Sequence, residues 1–253
     1  REQMQALLQC QHCNSLVGVY LHSPYIRHKK IAFNVISEFR LEGYESYLLK
    51  LAHQRYNMYL HNQALVCLLK TDFRKNMLHL MERDVKLSLW DLNMIVHELS
   101  HSNDDIPFEK MFGSKNHKIL LLALLFVRRV HVPVYKPEIQ RLCAHEDVRI
   151  QKEAIKAFCV YAVDTEDFSM LISDLKQADD DTLLHMIDAF ARCTDLRLKN
   201  DFFATVIETR NPRCKIRAME ELLLTDINAV ISYRKSSDEL VRNVCQQVLE
   251  IRV

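Results

Sequence analysis

Turn-forming residues are scarce in this chain, with three glycines and five prolines among 253 residues. Sheets need a turn every few residues, so this scarcity argues against a β-sandwich or barrel and favours long helices. Gly18, Gly43 and Gly113 are isolated in the sequence, which excludes a glycine-rich phosphate-binding loop. The composition therefore predicts an all-α protein without a nucleotide-binding signature.

An excess of charge is also missing, because 34 basic residues face 33 acidic ones and the net charge is +1. Such a balance provides no overall field to attract a nucleic-acid backbone. The longest apolar run, residues 119–127, is too short to span a bilayer. The eight cysteines are scattered and need no disulfide framework, so the cytoplasm is the expected compartment. The chain begins at Arg1 without an initiating Met, which predicts upstream residues, and a membrane anchor there is one alternative.

A short phrase recurs along the chain: a turn of Ser, Asn, Asp or Pro, an aliphatic-basic pair, and then an apolar helix. With a weak further copy near Tyr56, the copies stand roughly 25 to 35 residues apart, which is the period of stacked helical hairpins. We take the aliphatic residue of each copy as a structural anchor, and we expect these residues to be buried where they hold adjacent repeats together. These anchors are Ile26, Val85, Ile119, Val148, Leu183, Ile216 and Val241.

Each anchor is followed seven residues later by another apolar side chain, as expected for a helix with one buried face. These second positions are Phe33, Leu92, Phe126, Ile155, Phe190, Leu223 and Val248. A shorter amphipathic stretch precedes the better copies, so each unit is predicted to be helix A, a tight turn and helix B. The basic residues after the anchors, chiefly Arg149, Arg217 and Arg242, are predicted to bond turn carbonyls or acidic groups between repeats.

These features resemble the HEAT-repeat (armadillo-like) α-solenoids, whose repeat carries a turn with Asp or Pro followed by Val-Arg at the start of the second helix. The resemblance is strongest at residues 211–223 and 236–249, clear over 116–253, and degenerate over 1–115. It implies an all-α, right-handed solenoid of stacked antiparallel helical hairpins that occupies residues 1–253 as a single domain. The B helices are expected to line its concave side.

The resemblance also implies a non-enzymatic scaffold or adaptor that holds a protein or peptide segment in the concave groove, with no cofactor. Positions four residues beyond the anchors are predicted to line this groove, and Lys30, Lys152 and Glu220 are its candidate charged contacts. The alternative is that these side chains pack against the next repeat. Candidates for an aromatic groove are Trp90 and the tyrosines Tyr44, Tyr47, Tyr56 and Tyr59, although residues at such helical spacing more often serve as core and edge packing.

A rival function comes from residues 97–101, which match the H-E-x-x-H motif. On a helix, His97 and His101 share one face and can bind Zn²⁺, while Glu98 can activate a bound water. The extended motif fails, because Asp104 and Pro107 stand where glycine and the third histidine are required. We therefore predict no metal site, and a zinc-dependent hydrolase is the alternative.

The sequence favours two other hypotheses less: a second zinc site and a nucleic-acid-binding solenoid. Cys10 and Cys13, with His22 and His28, are four potential zinc ligands, but their spacing departs from the zinc-finger pattern. A nucleic-acid-binding solenoid, resembling the HEAT-like DNA glycosylases, needs basic residues on one face of consecutive B helices. Acidic residues interrupt that series, so nucleic acid is the less favoured partner.

Overall fold

The computed structural model describes residues 11–54, 57–73, 75–77, 87–100, 106–173, 175, 178–209 and 211–250, and their regular secondary structure is entirely helical. The all-α prediction is therefore confirmed for these ranges. None of the helices in them combines the length and the apolar character needed to cross a lipid bilayer. Two short 3-10 segments, Pro133–Tyr135 and Tyr233–Lys235, accompany fifteen α-helices. These are α1 (Gln11–His22), α2 (Ile26–Phe39), α3 (Glu45–His53), α4 (Met58–Thr71), α5 (Leu89–Leu99), α6 (Phe108–Phe112), α7 (His117–Val130), α8 (Lys136–Leu142), α9 (Val148–Tyr161), α10 (Thr165–Ser173), α11 (Asp180–Phe190), α12 (Leu196–Thr209), α13 (Pro212–Thr225), α14 (Ile227–Ser232) and α15 (Glu239–Glu250).

The chain divides into two compact units, residues 1–129 (unit 1) and 130–253 (unit 2). Helices adjacent in sequence pack together, as α1 with α2 and α3 with α4 in unit 1, and α8 with α9 and α12 with α13 in unit 2. A second set of contacts defines one row of helices in each unit. In unit 1, α2 packs on α4 and α4 on α5; in unit 2, α9 packs on α11, α11 on α13 and α13 on α15. We call these two rows the second-helix layers of units 1 and 2.

The polar residues of the recurring phrase are helix N-caps. Asp147, Asp179 and Asn211 precede α9, α11 and α13, and each side-chain oxygen accepts a backbone N–H two or three residues on, at 2.9 to 3.1 Å. A cap of this kind satisfies one otherwise unpaired donor and contributes about 1 kcal/mol. The three helices begin roughly 30 residues apart, so the phrase marks where each helix of the layer starts.

The apolar residues seven positions after the anchors are buried in six of seven copies, which confirms the predicted helix face. The six are Phe33, Leu92, Phe126, Ile155, Phe190 and Val248. Leu223 is only half-buried, and its neighbour Leu222 faces the core instead. The reason is a change of phase, because α13 begins at Pro212, four residues before the anchor Ile216.

The anchors themselves are less uniform than predicted. Ile119, Leu183 and Val241 are buried and Ile216 is half-buried, whereas Val85 lies outside the described residues. The prediction that Ile26 and Val148 are buried was wrong, because 47 % and 56 % of their surface is exposed. Both are the first residue of their helix, ahead of the turn that meets the core. In α9 the first core residue is Ile150, which is completely buried.

Aromatic stacking and internal ion pairs hold unit 2 together. Phe190 of α11 lies between Phe168 of α10 and Phe202 of α12, with ring centroids 5.0 and 3.8 Å away. Buried Lys156 of α9 reaches Asp181 of α11 at 2.6 Å, and its ammonium also bonds Glu153 at 2.9 Å. Neighbouring helices of the second-helix layer are thus joined by charge as well as by apolar contact.

Candidate functional site

A groove of about 270 Å³ opens on the second-helix layer of unit 1. Residues 33–37 of α2, 59–70 of α4 and 90–98 of α5 contribute its lining, and we call it the unit 1 groove. Phe33 and Val66 form part of a buried apolar lining, whereas Trp90 is 58 % exposed and Tyr59 is 39 % exposed. The groove therefore combines a closed apolar surface with two accessible aromatic rings.

The local sequence of α4 and α5 decides which side chains enter the groove. Asn57 caps α4 by accepting the Leu60 N–H at 3.1 Å, and residues 59, 62–63, 66 and 70 then recur on one stripe of the helix. α5 begins with a capping box, in which Ser88 Oγ accepts the Asp91 N–H and Asp91 Oδ2 accepts the Ser88 N–H. Positions 90, 94 and 98, each one turn apart, consequently face the groove.

Asn62 is a buried polar residue of the groove lining. Its side chain is only 8 % exposed, and no protein group donates a hydrogen bond to its Oδ1. A buried polar atom left without a partner costs about 1 to 3 kcal/mol. Asn62 lines the groove as a residue, but its Oδ1 has less than 1 Å² of accessible surface.

The charges of the groove are balanced. Lys70 of α4 donates to Glu98 Oε2 of α5 at 3.1 Å, and both side chains remain about two-fifths exposed. An ion pair this exposed contributes little to stability, of the order of 1 kcal/mol or less. Its main consequence is that the groove carries no net charge.

Two fully buried side chains lie next to the groove residues in sequence. His61 Nε2 of α4 stands 3.5 Å from Asp91 Oδ1 of α5. Although burial acts to raise the pKa of Asp91, the neighbouring His61 and the bonds from Ser88 lower it to about 2. This contact joins α4 to α5 beside Asn62 and Trp90, so it helps to hold the two sides of the groove at their spacing.

Cys67 is the one thiol of the groove lining. Burial raises the pKa of this thiol to about 12, with a small opposing effect from Lys70. The sulfur donates to the Phe33 carbonyl oxygen at 3.4 Å. A protonated, bonded thiol of this kind is a poor nucleophile, so the groove offers apolar contact and hydrogen bonds rather than covalent chemistry.

A second groove, of about 590 Å³, lies between α11 and α13 in unit 2. The predicted contact residue Glu220 lines it, together with Asp188 and Arg217. Arg217 bonds Asp188 and Glu221 at 3.1 Å and reaches Glu220 at 3.5 Å. Apart from the exposed Arg213, the charged residues of this lining therefore belong to an internal network.

The other two predicted contact residues are separate from both grooves. Lys30 is exposed on α2 but does not line the unit 1 groove. Lys152 of α9 pairs with Asp179, the N-cap of α11, at 2.9 Å. Although burial acts to raise the pKa of Asp179, bonds from Lys152 and Thr182 hold it below its ordinary value. Lys152 thus has a structural partner, and its role in binding stays a prediction.

The three arginines after the anchors make structural contacts. Arg242 donates to two carbonyl oxygens of the turn at residues 236–237, at 2.7 and 3.0 Å, and Arg217 makes the interhelical network described above. Arg149 bonds Asp147 of its own turn at 3.0 Å rather than a neighbouring repeat. The predicted bonds to turn and acidic groups are therefore present, although one of them is local.

Both candidate zinc sites include residues that lie outside the described ranges: His101 of the first and Cys10 of the second. His97 is 77 % exposed on α5, and the adjacent Glu98 pairs with Lys70. His22 Nδ1 lies 2.9 Å from the Gly18 carbonyl oxygen. Within the described ranges, no three His, Cys, Asp or Glu side chains are arranged to hold a metal ion.

Comparison with known proteins gives little further information. No protein-family model and no curated protein matches the chain. Among solved structures, a designed armadillo repeat protein is similar over 93 % of this chain and 98 % of its own, with 13 % sequence identity and a TM-score of 0.23. A similarity this distant shows neither the fold nor the function of the present chain.

Proposed function

We propose that the chain is a non-enzymatic scaffold or adaptor that binds a segment of a partner protein. In this proposal its helices form a right-handed α-solenoid of stacked hairpins, and the second-helix layer of each unit contributes to a concave binding face. The unit 1 groove is the observation that carries the proposal. Helical-repeat architectures use such extended faces to hold peptides and partner proteins.

The lining of the groove has the character of a protein-binding surface. Trp90 and Tyr59 offer large, rigid contact areas, and tryptophan and tyrosine are enriched among the residues that dominate binding energy. Phe33 and Val66 provide an apolar base that a side chain of the partner can cover. Lys30 in unit 1, and Lys152 and Glu220 in unit 2, remain proposed charged contacts with the partner protein. Lys30 is the simplest of them to test, because Lys152 and Glu220 already contact other side chains.

The experiment is a selection of peptides against the whole chain. Random peptides of about twelve residues, displayed on phage, are selected for binding, and dissociation constants are measured by fluorescence anisotropy. We expect Trp90→Ala to weaken the selected peptides about tenfold or more. Asn93→Ala is the control, since Asn93 is exposed on the same helix but does not line the groove. Recovery of no binding peptide, or equal losses in both variants, counts against the proposal.

The proposal also includes the absence of zinc chemistry at residues 97–101. Protein purified without an affinity tag and dialysed against chelator is expected to hold far less than one zinc per chain. Glu98 and Lys70 are expected to act only as a pair in the groove wall. Roughly one retained zinc per chain, lost in the His97→Ala/His101→Ala double variant, would restore the hydrolase hypothesis.

A further inference from the structure

We propose that the groove between α11 and α13 binds a helix of a partner protein through a face that carries an acidic, an aliphatic and a basic side chain in succession. Arg213 receives the acidic group, Ile216 the aliphatic group and Glu220 the basic group. This inference rests on the proposed function, since it names the chemistry of the partner at unit 2. Three observations carry it: a partly exposed apolar floor, opposite charges at the two ends of the groove, and the spacing of these features along α13.

The middle of the groove has an apolar floor. Leu184 of α11 and Ile216 of α13 line it, and both residues are only half-buried. Pro212, the first residue of α13, extends the floor and is exposed. An aliphatic side chain that covers these residues removes apolar surface from water, which favours association. The floor therefore accounts for the aliphatic residue in the middle of the partner face.

One end of the groove carries an excess of negative charge. The guanidinium of Arg217 lies 3.1 Å from Asp188 and from Glu221 and 3.5 Å from Glu220, so three carboxylates share one cation. The side chains of Asp188 and Glu220 line the groove and are 60 % and 40 % exposed. A second cation can therefore approach them while it keeps much of its hydration. Since no three His, Cys, Asp or Glu side chains of the described ranges are arranged to hold a metal ion, we infer a lysine or arginine of the partner.

The opposite end of the groove carries an exposed cation. Arg213 lines the groove in the first turn of α13 and lies outside the network of Arg217. α11 and α13 run in the same direction, because Cys214 Sγ donates to the Asp180 carbonyl oxygen at 3.7 Å where both helices begin, and Arg217 meets Asp188 further along both helices. The groove is thus positive where the two helices begin and negative further along, which is complementary to a partner face with an acidic and a basic end.

The spacing of these features selects a helix as the partner segment. Arg213, Ile216 and Glu220 occupy positions i, i+3 and i+7 of α13, so the second and third lie about 4.5 and 10.5 Å beyond the first along the helix axis. Side chains on one face of a partner helix recur at the same intervals, whereas those on one face of an extended strand recur about every 6.7 Å. The partner helix therefore presents its acidic residue at i, its aliphatic residue at i+3 or i+4 and its basic residue at i+7. This order also stabilises the partner helix itself, because acidic groups are favourable near its N-terminus and basic groups near its C-terminus.

The test begins with a selection against the Trp90→Ala chain, which removes an exposed ring of the unit 1 groove. Random peptides of about sixteen residues are displayed on phage, and the recovered peptides are expected to carry the acidic, aliphatic and basic residues at the spacing given above. Circular dichroism should show that these peptides gain helicity when they bind. Fluorescence anisotropy then gives their dissociation constants for the variants of the groove.

Arg213→Glu should weaken the recovered peptides about fivefold or more, and lysine in place of the acidic residue of the peptide should restore the affinity. Arg197→Glu is the matched control, since Arg197 is exposed on α12 but does not line the groove, and it should change the affinity less than about twofold. Arg213→Gln, which removes the charge without reversing it, should cause a smaller loss than Arg213→Glu. Thermal unfolding shows whether each variant keeps the native fold.

The outcomes separate the two proposals. If the Trp90→Ala chain recovers no peptide, or if Arg213→Glu and Arg197→Glu cause equal losses, this inference is overturned, while Trp90-dependent peptides keep the proposed function standing. Recovered peptides that bind without a gain in helicity would identify an extended segment as the occupant. Self-association of the chain that Arg213→Glu abolishes, measured by sedimentation velocity, would identify a second copy; either result overturns the inference. If neither selection recovers a peptide, both proposals fail together.

Discussion

The two units differ in how their buried polar side chains are paired. In unit 2, buried Lys156, Lys199 and Lys215 each have partners: Lys156 bonds two carboxylates, Lys215 bonds one at 3.1 Å, and Lys199 donates to a backbone carbonyl at 2.7 Å. In unit 1, the Oδ1 atoms of Asn62 and Asn76 are buried without a hydrogen-bond donor. The buried lysines of unit 2 thus contribute to its stability, whereas unit 1 retains unused hydrogen-bonding capacity.

The two units also differ in where their buried polar atoms without a partner lie. Unit 2 also contains buried polar atoms without a partner, at Glu138 and Thr182, but neither residue lines the groove between α11 and α13. Asn62 does line an open groove. Binding surfaces often retain groups that are unfavourable in the free protein, because the ligand satisfies them. The difference between the units is therefore expected to appear as opposite responses to mutation.

The largest loss of stability is expected at Ile150, a completely buried residue of unit 2. Ile150→Ala should lower the free energy of unfolding by about 2 to 5 kcal/mol, through lost burial and a residual cavity. Val148→Ala, two residues earlier on the exposed first position of α9, should change it by less than about 0.5 kcal/mol. Urea denaturation measures both. Equal losses would show that the core of α9 does not begin at Ile150.

Removal of the buried lysine of α9 should have the next largest effect. Lys156→Met is expected to cost about 1.5 to 3 kcal/mol, because Glu153 and Asp181 lose a charged donor. The control is Lys152→Met, whose more exposed pair with Asp179 should cost less than about 1 kcal/mol. If the two variants unfold at the same urea concentration, the buried pair does not stabilise unit 2 as we describe.

The buried carboxylate of unit 1 predicts acid sensitivity. The pKa of Asp91 lies at about 2, below its ordinary value of 3.8, so its stabilisation is complete above pH 4 to 5 and is lost as the pH falls toward 2. This loss should amount to about 2 kcal/mol. Asp91→Asn should be less stable near neutral pH and should lose less on acidification. Unfolding free energies measured at about pH 6 and about pH 2.5 check the prediction; an unchanged pH slope would contradict it.

The smallest expected effect is a stabilisation, and it tests the comparison between the two units most directly. Asn62→Leu should raise the free energy of unfolding of unit 1 by about 1 kcal/mol, because it removes a buried acceptor that has no donor. The exposed Asn34→Leu should change it by less than about 0.5 kcal/mol. Thermal unfolding followed by circular dichroism measures both variants. A clear destabilisation by Asn62→Leu would mean that the Asn62 side chain stabilises the free protein.

Sequence-based predictions were reliable where they depend on the geometry of a single helix. The recurring turns were predicted to precede helices, and in the structure Asp147, Asp179 and Asn211 cap those helices by bonding a backbone N–H within three residues. The anchors Ile26 and Val148 were assigned the wrong burial because each is the first residue of its helix and lies ahead of the turn that meets the core. Their helix phase was correct, since Phe33 and Ile155, two turns further on, are buried.

The groove residues were harder to predict. Asn62 belongs to a polar run, residues 61–63, and this run alone does not indicate which of its side chains is buried without a partner. The aromatic groove around Trp90 and Tyr59 was one of the open alternatives. Nothing local to α5 indicates that Trp90 shares a cavity with Phe33, because these residues are far apart in the chain and meet only through α4.

The sequence by itself determined the helical class, the position of the caps and most of the buried face, since these depend on turn chemistry and on a period of about 3.6 residues. Tertiary structure decided which of the many polar and aromatic residues form a site. The packing of α2, α4 and α5 gathers residues 33 to 98 around one groove and leaves Asn62 Oδ1 without a donor. Hydrogen-bond satisfaction in a folded protein is a property of neighbours in space, and it is not encoded in any short stretch of sequence.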